Sequence, residues 1–232
     1  MRFKHGFAKS KGITYQSSSL RAREPIGRSF GLVRGKFPSK KMGRMIHWES
    51  QLERDAALLF EFSPAIAAYR EQPFRIHYSF NGKIRRYTPD FEVKLQTGEI
   101  QIIEVKPLAR SLEPHEAYRL SEIRRYFEGR GYTYRILTEA DIRQIDLLKN
   151  LWILMRYRGA DFSAFDKRVW REKLGSTQSM SFAEAEKILG GKDNVWMLLD
   201  QQVIGCDLRH EITEATYLKP IQGGNHDTEF FI

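Results

Sequence analysis

The chain has 232 residues, of which 41% are hydrophobic and 29% are charged, so it is long enough to bury a core in one large or two small domains. The longest apolar run, 151–155, is far shorter than the roughly 20 residues that span a membrane, and the N-terminal residues lack the apolar segment of a secretory signal. Cys206 is the single cysteine, which excludes an internal disulfide and a cysteine-cluster zinc site, and we expect a cytoplasmic protein.

The net charge of +9 is concentrated at the N-terminus. Residues 1–46 contain twelve Lys or Arg and one acid, Glu24, whereas the remaining 186 residues contain 26 basic and 28 acidic side chains. The segment is rich in Gly and Ser and has no helical or strand periodicity, so we expect an arm that stays unfolded or becomes ordered on a polyanion. Nucleic acid is the partner that this composition favours, and the alternative is a solubilising tail.

Residues 47–140 begin with a helix pattern and continue with strand patterns. HWESQLERDAALLFEFSP places apolar residues at helical spacing from Trp48 to Phe60 and predicts a first helix, which Pro64 stops. Two β-rich runs then flank Asn81-Gly82, a dipeptide typical of the two-residue type I′ hairpin because both positions need a positive φ.

The patterns continue with a strand from about Asp90 to Leu95, a turn around Gly98 and the mostly apolar strand IQIIEVK. Pro114 then opens a helix with one apolar face, and YTYRIL predicts a further strand. The order α-β-β-β-α-β predicts an α/β fold, with helices packed on a mixed sheet.

The chain from 139 onward is mainly helical in pattern. We predict one long helix from about 139 through 157, a second helix around 165–174 and a short third helix over 181–189. The third helix has Ser181 and Glu184 as a capping box and Gly190 at its end. A helix near 194–202 leads into the β-like run QVIGCDL. Residues 141–218 therefore outline a winged-helix-like domain, although other small helical domains fit equally well. Residues 219–232 form a tail whose apolar end indicates a partner-docking segment or a disordered end.

Asp90, Glu104 and Lys106 place charges within the predicted strands. Residues two apart in a strand share a face, so Glu104 and Lys106 project together. If Gly98 lies in the turn, Asp90 falls almost opposite Glu104 on the partner strand. Two close carboxylates repel each other, and a divalent cation between them such as Mg²⁺ or Mn²⁺ would offset this repulsion. A lysine beside a metal-bound water can orient or deprotonate that water, or stabilise the charge on a phosphate under attack. The alternative is a surface salt bridge.

These residues also form a family motif. TPD, thirteen residues and then EVK resemble the PD-(D/E)-x-K signature of restriction-endonuclease-like nucleases. More closely, ESQLERDAALLFEFSPAIAAYREQPF, RYTPDFEV and IIEVKP together resemble the TnsA family, the endonuclease subunit of Tn-seven-type heteromeric transposases. The resemblance covers about 47–141, and the predicted domains are then an arm (1–46), a nuclease domain (47–140), a winged-helix-like domain (141–218) and a tail (219–232).

The resemblance implies a Mg²⁺-dependent (or Mn²⁺-dependent) endonuclease that cuts the 5′ ends of a transposon, acting in the bacterial cytoplasm on the transposon ends and flanking donor DNA. It implies two protein partners. One is a DDE transposase of the TnsB type, which cuts and joins the 3′ ends, and the other is an AAA+ regulator of the TnsC type, engaged by the C-terminal domain and tail. The rival interpretations are a stand-alone restriction-like, repair or resolvase nuclease, and a non-catalytic DNA-binding adaptor of the same fold.

Carried over by motif, the catalytic residues would be Glu53, Asp90, Glu104 and Lys106, with the three carboxylates as metal ligands. Some family members have glutamine at the position of Glu104, whereas this chain has the more ordinary metal-binding residue.

Supporting and DNA-contacting roles are also predicted. Glu49, expected one turn before Glu53 on the same helix face, competes for its role, whereas Asp55 is expected to be solvated. Gln72 is expected to tie the first helix to the sheet and to support the site. The hairpin and the following helix carry exposed basic residues that are expected to contact the DNA backbone: Lys83, Arg85, Arg86, Arg124 and Arg125.

Overall fold

The computed structural model describes residues 33–158 and 179–221. The chain divides between Arg143 and Gln144 into two compact units. Much of the predicted arm, the predicted helix at 165–174 and the apolar C-terminal end lie outside the described residues. Within the described ranges, no helix combines the length and the apolar character that a membrane span requires.

A β-hairpin opens the described part of the first unit. Strands β1 (Gly35–Ser39) and β2 (Arg44–Trp48) pair antiparallel, and Phe37 and Ile46, which are opposite each other, are buried. The expectation that 1–46 lacks strand structure is therefore wrong for 35–46. Phe37 is the only large apolar residue among the buried positions of β1, so the sequence shows no alternation of apolar and polar residues that would predict a strand.

Helix α1 (Gln51–Phe62) begins after Ser50, whose Oγ accepts a 3.1 Å hydrogen bond from the backbone N–H of Glu53. Trp48 ends β2, so the predicted helix start at this residue is wrong. Glu49 precedes the N-cap and lies outside the helix. The expectation that Glu49 and Glu53 share a helix face is therefore wrong. Ser50 has an extended backbone, which separates strand from helix at this point.

Strand β3 (Ile66–Glu71) follows α1 and was not predicted, because alanines at 67 and 68 weaken its β pattern. The hairpin of β4 (Ile76–Phe80) and β5 (Lys83–Tyr87) forms a separate two-stranded sheet. Asn81 and Gly82 between them have φ angles of 52° and 68°, as a type I′ turn requires. The predicted hairpin is confirmed.

A mixed sheet with strand order β3-β6-β7-β8 forms the centre of the first unit. Strands β6 (Phe91–Leu95) and β7 (Ile100–Val105) are antiparallel, and β8 (Thr133–Leu137) runs parallel to β7. The short helix α2 (Leu108–Ser111) and helix α3 (Pro114–Glu128) lie between β7 and β8 in sequence. The predicted α-β-β-β-α-β order holds for the sheet, although its first strand is the unpredicted β3.

The two faces of this sheet pack against different elements. On the face of Ile102, the β4–β5 hairpin, α3 and the sheet enclose an aromatic core that includes Phe74, Tyr87, Phe127 and Tyr134. The opposite face contacts α1, where the ring of Phe60 meets Phe91 edge-on at 5.3 Å. The acidic residues predicted for the site lie where α1, β6 and β7 approach one another.

The end of the first unit and the second unit are mainly helical. Helix α4 (Glu139–Ile142) begins with a capping box of Thr138 and Asp141, but it ends before α5 (Ile145–Tyr157), so the single long helix that was predicted here is wrong. Strand β9 (Met180–Ser181), helices α6 (Phe182–Leu189) and α7 (Lys192–Asp200), and strands β10 (Ile204–Gly205) and β11 (Tyr217–Pro220) follow. The three strands pair antiparallel in the order β10-β11-β9.

Candidate active site

The register of β6 and β7 brings Asp90 beside Glu104. Phe91 pairs with Ile103, so Asp90, one residue earlier, faces Glu104, one residue later. Oδ2 of Asp90 accepts a 2.7 Å hydrogen bond from the backbone N–H of Val105. The strand pairing therefore places the two carboxylates on neighbouring strands, as the position of Gly98 in the turn predicted.

Glu53 approaches the same two carboxylates from the first turn of α1. Burial raises the pKa of Asp90 well above its usual range, and the charges of Glu104 and Glu53 raise it further. Burial also raises the pKa of Glu53, and the charges of Glu49 and Glu104 add to the effect. Because the three carboxylates repel one another in this way, we call Glu53, Asp90 and Glu104 the acidic cluster.

Glu53 also caps α1. Its Oε2 accepts a 2.8 Å hydrogen bond from the backbone N–H of Glu49, and its Oε1 accepts a 3.0 Å bond from Oγ of Ser50. These bonds fix the carboxylate at the positive end of the helix dipole, where a negative charge is stabilised. Glu49 lies in the connection between β2 and α1 and is partly buried.

Glu104 is buried and hydrogen-bonded to a tyrosine. Oη of Tyr87 donates a 2.5 Å hydrogen bond to Oε2 of Glu104, and Oη of Tyr134 lies 3.2 Å from Oη of Tyr87. Burial raises the pKa of Tyr87 well above its usual range, and the Glu104 charge raises it further, so the phenol stays a hydrogen-bond donor. Sequence reasoning missed Tyr87, although it lies three residues before Asp90 in RYTPD.

Lys106, at the end of β7, lies between two carboxylates. Its Nζ is 3.2 Å from Oε1 of Glu104 and also donates a hydrogen bond to Glu116 of α3. Burial lowers the pKa of Lys106, but the charge of Glu104 and the hydrogen bonds to Glu116 and Glu104 raise it above the ordinary value overall. The side chain is therefore an ammonium group that is held beside the acidic cluster.

Arg119, one turn after Glu116 on α3, completes this set of contacts. Its Nε and Nη2 donate two hydrogen bonds of 2.7 Å to the two oxygens of Glu116. Its guanidinium also lies 3.9 Å from Oε1 of Glu104 and 5.9 Å from the ring centroid of Tyr87. Sequence reasoning missed Glu116 and Arg119, because a Glu–Arg pair three residues apart is common on any solvated helix.

The chemistry of the acidic cluster fits a divalent cation. Within the described ranges, no three His, Cys, Asp or Glu side chains are already arranged as a metal site. Oxygens of Glu53, Asp90 and Glu104 instead accept hydrogen bonds from protein donors. Carboxylate oxygens are nevertheless the ligands that Mg²⁺ and Mn²⁺ prefer, and a cation among them would relieve the repulsion that raises the pKa of Asp90.

A known protein family matches part of the first unit. Residues 63–139 match the sequence model of the family described as TnsA-like endonuclease N terminal. The chain contains a TnsA-like endonuclease N-terminal domain. No curated protein matches the chain. The match extends from the end of α1 past β8, so Asp90, Glu104 and Lys106 lie inside it and Glu53 precedes it, and their arrangement is consistent with the PD-(D/E)-x-K superfamily.

Gln72 supports the loop of Asp90 in the TnsA-like domain. Its backbone N–H donates a 2.8 Å hydrogen bond to the backbone carbonyl of Asp90. Its φ of 43° is in the left-handed region, which is uncommon for a residue other than glycine. The side chain is buried, and within the described ranges its Oε1 has no hydrogen-bond partner. Gln72 thus contacts the site through its backbone, from the end of β3.

Asp55 of α1 is buried, so the expectation that it is solvated is wrong. Its two carboxylate oxygens bind Arg54 at 2.7 Å and Arg143 at 3.1 Å. These two cations compensate the charge that Asp55 brings to the buried side of α1. Asp55 therefore links α1 to the end of α4 and lies outside the acidic cluster.

The predicted DNA-contacting residues differ in position. Lys83, Arg85 and Arg86 are all exposed on β5, but Lys83 and Arg85 alternate with Tyr87 on one face, and Arg86 lies on the other. Arg124 is exposed on α3. Arg125 is exposed as well and binds Glu122 at 2.5 Å. Lys83 and Arg85 therefore share the face of the tyrosine that holds Glu104.

Proposed function

We propose that the protein is a Mg²⁺-dependent DNA endonuclease, the subunit of a Tn-seven-type heteromeric transposase that cuts the 5′ ends of the transposon. One observation carries the proposal. Asp90 faces Glu104 across the β6–β7 pair, Nζ of Lys106 lies 3.2 Å from Oε1 of Glu104, and these three residues lie together inside the segment that matches the TnsA-like endonuclease family.

In this proposal Glu53, Asp90 and Glu104 would hold the cation. When bound, Mg²⁺ or Mn²⁺ would polarise the scissile phosphate and lower the pKa of a coordinated water. The Lys106 ammonium donates a hydrogen bond to the attacking water or to a phosphate oxygen, and Tyr87 keeps the Glu104 carboxylate in place. Hydrolysis leaves a 3′-hydroxyl and a 5′-phosphate on the DNA.

Partner proteins supply the other activities. A DDE transposase of the TnsB type cuts and joins the 3′ ends, and an AAA+ regulator of the TnsC type binds the second unit and the C-terminal tail. Two observations support a protein-binding winged-helix domain. Its described elements follow the order helix, strand, helix, helix, strand, strand with strand order β10-β11-β9. The described parts of this domain, 144–158 and 179–221, also contain eight acidic and seven basic side chains, so they carry no excess of positive charge that would favour a DNA-backbone contact. The complete complex acts on DNA in the bacterial cytoplasm.

Reconstitution with and without the partners tests the function. The substrate is a DNA that carries a transposon end and flanking donor sequence, with each strand labelled separately. With Mg²⁺ and both partners, we expect a cut at the 5′ end of the transposon that leaves a 5′-phosphate. Efficient 5′ cutting by this chain alone would favour a stand-alone nuclease, and no Mg²⁺-dependent 5′ cut with any combination would favour a non-catalytic adaptor.

A further inference from the structure

Glu116 is the unexplained member of the site. It lies on α3, ten residues after Lys106, and neither the motif nor the predicted metal ligands include it. Its oxygens accept hydrogen bonds from Lys106 and from both Nε and Nη2 of Arg119. Both oxygens of Glu116 therefore accept hydrogen bonds from positively charged side chains. This arrangement suits Glu116 to orienting the Lys106 ammonium group rather than to binding a metal ion.

The contacts define what Glu116 does to Lys106. A lysine ammonium has three N–H donors on a flexible four-carbon chain, so a single carboxylate leaves its position loosely defined. Here one donor is directed to Glu116 and another to Glu104, at 3.2 Å. The third N–H remains available for a water or a phosphate oxygen. Lys106 and Glu116 are both largely buried, with 17% and 18% of their side chains exposed, so solvent screens the pair little.

Arg119 makes this arrangement rigid. The planar guanidinium binds both oxygens of Glu116 at 2.7 Å and so fixes the plane of the carboxylate. The guanidinium carbon also lies over the Tyr87 ring, 5.9 Å from its centroid, and Tyr87 donates a hydrogen bond to Glu104. The positions of Lys106 and Glu104 are thus fixed by one connected set of side chains from β5, β7 and α3.

We infer that Glu116, held by Arg119, is a positioning residue that fixes the Lys106 ammonium beside Glu104 for the cleavage step. The inference rests on the proposed nuclease function. It adds α3 to the elements that build the active site, and it assigns Glu116 and Arg119 to orientation of the lysine.

The same helix offers a matched control. Glu122 and Arg125 form a second Glu–Arg pair three residues apart, at 2.5 Å, and they lie further along α3 than Glu116 and Arg119. Glu122→Gln removes the same charge from the same helix without touching the site. A loss that reflects only helix stability would therefore appear in both variants.

The first measurement is single-turnover 5′-end cleavage by the reconstituted complex, with DNA affinity measured separately. We expect Glu116→Gln to lower the cleavage rate about 10- to 100-fold at unchanged DNA affinity, and Glu122→Gln to leave both unchanged. In the Lys106→Met background, Glu116→Gln should cause no further loss, because it acts through the lysine. A wild-type rate for Glu116→Gln, or a loss that multiplies with that of Lys106→Met, would overturn the inference.

The second measurement does not depend on cleavage. In the metal-free full-length chain, the ¹H–¹⁵N signal of a held lysine ammonium is visible because its hydrogen exchange is slow, and the Lys106 signal is the one that Lys106→Met removes. We expect Glu122→Gln to keep this signal and Glu116→Gln to lose it. If Glu116→Gln does not fold, Arg119→Lys replaces it, since the loss of the guanidinium fork should broaden the same signal. A Lys106 signal that persists unchanged sinks the inference, even if wild-type cleavage itself fails.

Discussion

Tyr87 donates a 2.5 Å hydrogen bond to Glu104, and this buried contact has a counterpart elsewhere in the first unit. Oη of Tyr69 donates a 2.8 Å hydrogen bond to Oε2 of Glu61, away from the acidic cluster. Each tyrosine thus holds a buried glutamate, but only Glu104 belongs to the proposed site. Loss of the Tyr87 hydrogen bond should therefore affect both cleavage and stability, whereas loss of the Tyr69 hydrogen bond should affect stability alone.

Replacement of Tyr87 by Phe removes a hydrogen bond to a carboxylate at the site. We expect Tyr87→Phe to lower the 5′-end cleavage rate about 10- to 100-fold, because the orientation of Glu104 is then less fixed. We expect both Tyr87→Phe and Tyr69→Phe to lower the free energy of unfolding, each by about 1.5 to 3 kcal/mol. Tyr69→Phe should leave cleavage by the folded protein unchanged. Urea unfolding and single-turnover cleavage of both variants provide the comparison, and equal cleavage losses would refute the role of Tyr87.

The sequence predicted best those elements that depend on local backbone requirements. The Asn81-Gly82 hairpin, the turn at Gly98 with its φ of 90° and the capping box of Ser181 and Glu184 all appear in the structure. Each needs a residue type that few others can replace at that position. Elements with such requirements can be recognised within a few residues of sequence.

The missed strands depend on distant partners instead. Inward positions of β1 and β3 hold polar residues: Ser39 binds Glu61 at 2.5 Å, and Glu71 binds Arg44 through two hydrogen bonds of 2.8 and 2.6 Å. Since tertiary partners replace apolar side chains there, no hydrophobic alternation remains to be detected. The site shows the same limit. Strand spacing predicted that Asp90 and Glu104 lie together, but the role of Glu116 depends on how α3 packs against β7, which strand spacing does not give.

The helix glutamate of the acidic cluster can be tested against its neighbour. We expect Glu53→Gln to lose most 5′-end cleavage, because it removes a proposed metal ligand, and to lose up to about 1 kcal/mol of stability, because Glu53 also caps α1. Glu49 precedes the helix, so Glu49→Gln should keep most cleavage. Parallel assays over a Mg²⁺ titration decide between them, and an inactive Glu49→Gln beside an active Glu53→Gln would assign the ligand to Glu49.

The two faces of β5 predict different effects on DNA binding. Lys83 and Arg85 share the face of Tyr87, so their double replacement by Ala should weaken DNA binding and reduce its salt dependence by about 0.9 log units for each phosphate that is no longer neutralised. Arg86→Ala, on the other face, should have a smaller effect. Fluorescence anisotropy over a salt series measures both slopes. Arg85→Ala alone is the matched comparison for Arg86→Ala, and equal effects of these two single variants would show that the face of β5 does not matter.

The N-terminal basic residues require two different deletions. Residues 1–32 contain seven Lys or Arg and one acid, and we expect their removal to lower DNA affinity and flatten its salt dependence. Extending the deletion through 46 also removes Ser39 and the backbone donors of 40 and 41 that bind Glu61, so the melting temperature should fall relative to the shorter deletion. An unchanged salt slope after removal of 1–32 would contradict a phosphate-binding role for this segment.

Asp90 offers the most direct test of the metal-dependent nuclease mechanism. Asp90→Asn keeps the side-chain shape and an oxygen that can accept from the Val105 N–H, but it removes the charge that a Mg²⁺ site needs. The measurement is single-turnover 5′-end cleavage by the complete complex over a Mg²⁺ titration. We predict that Asp90→Asn falls to the uncatalysed background at every Mg²⁺ concentration, while 3′-end cleavage by the partner continues. Cleavage of the 5′ ends at the wild-type rate would contradict the assignment of this site.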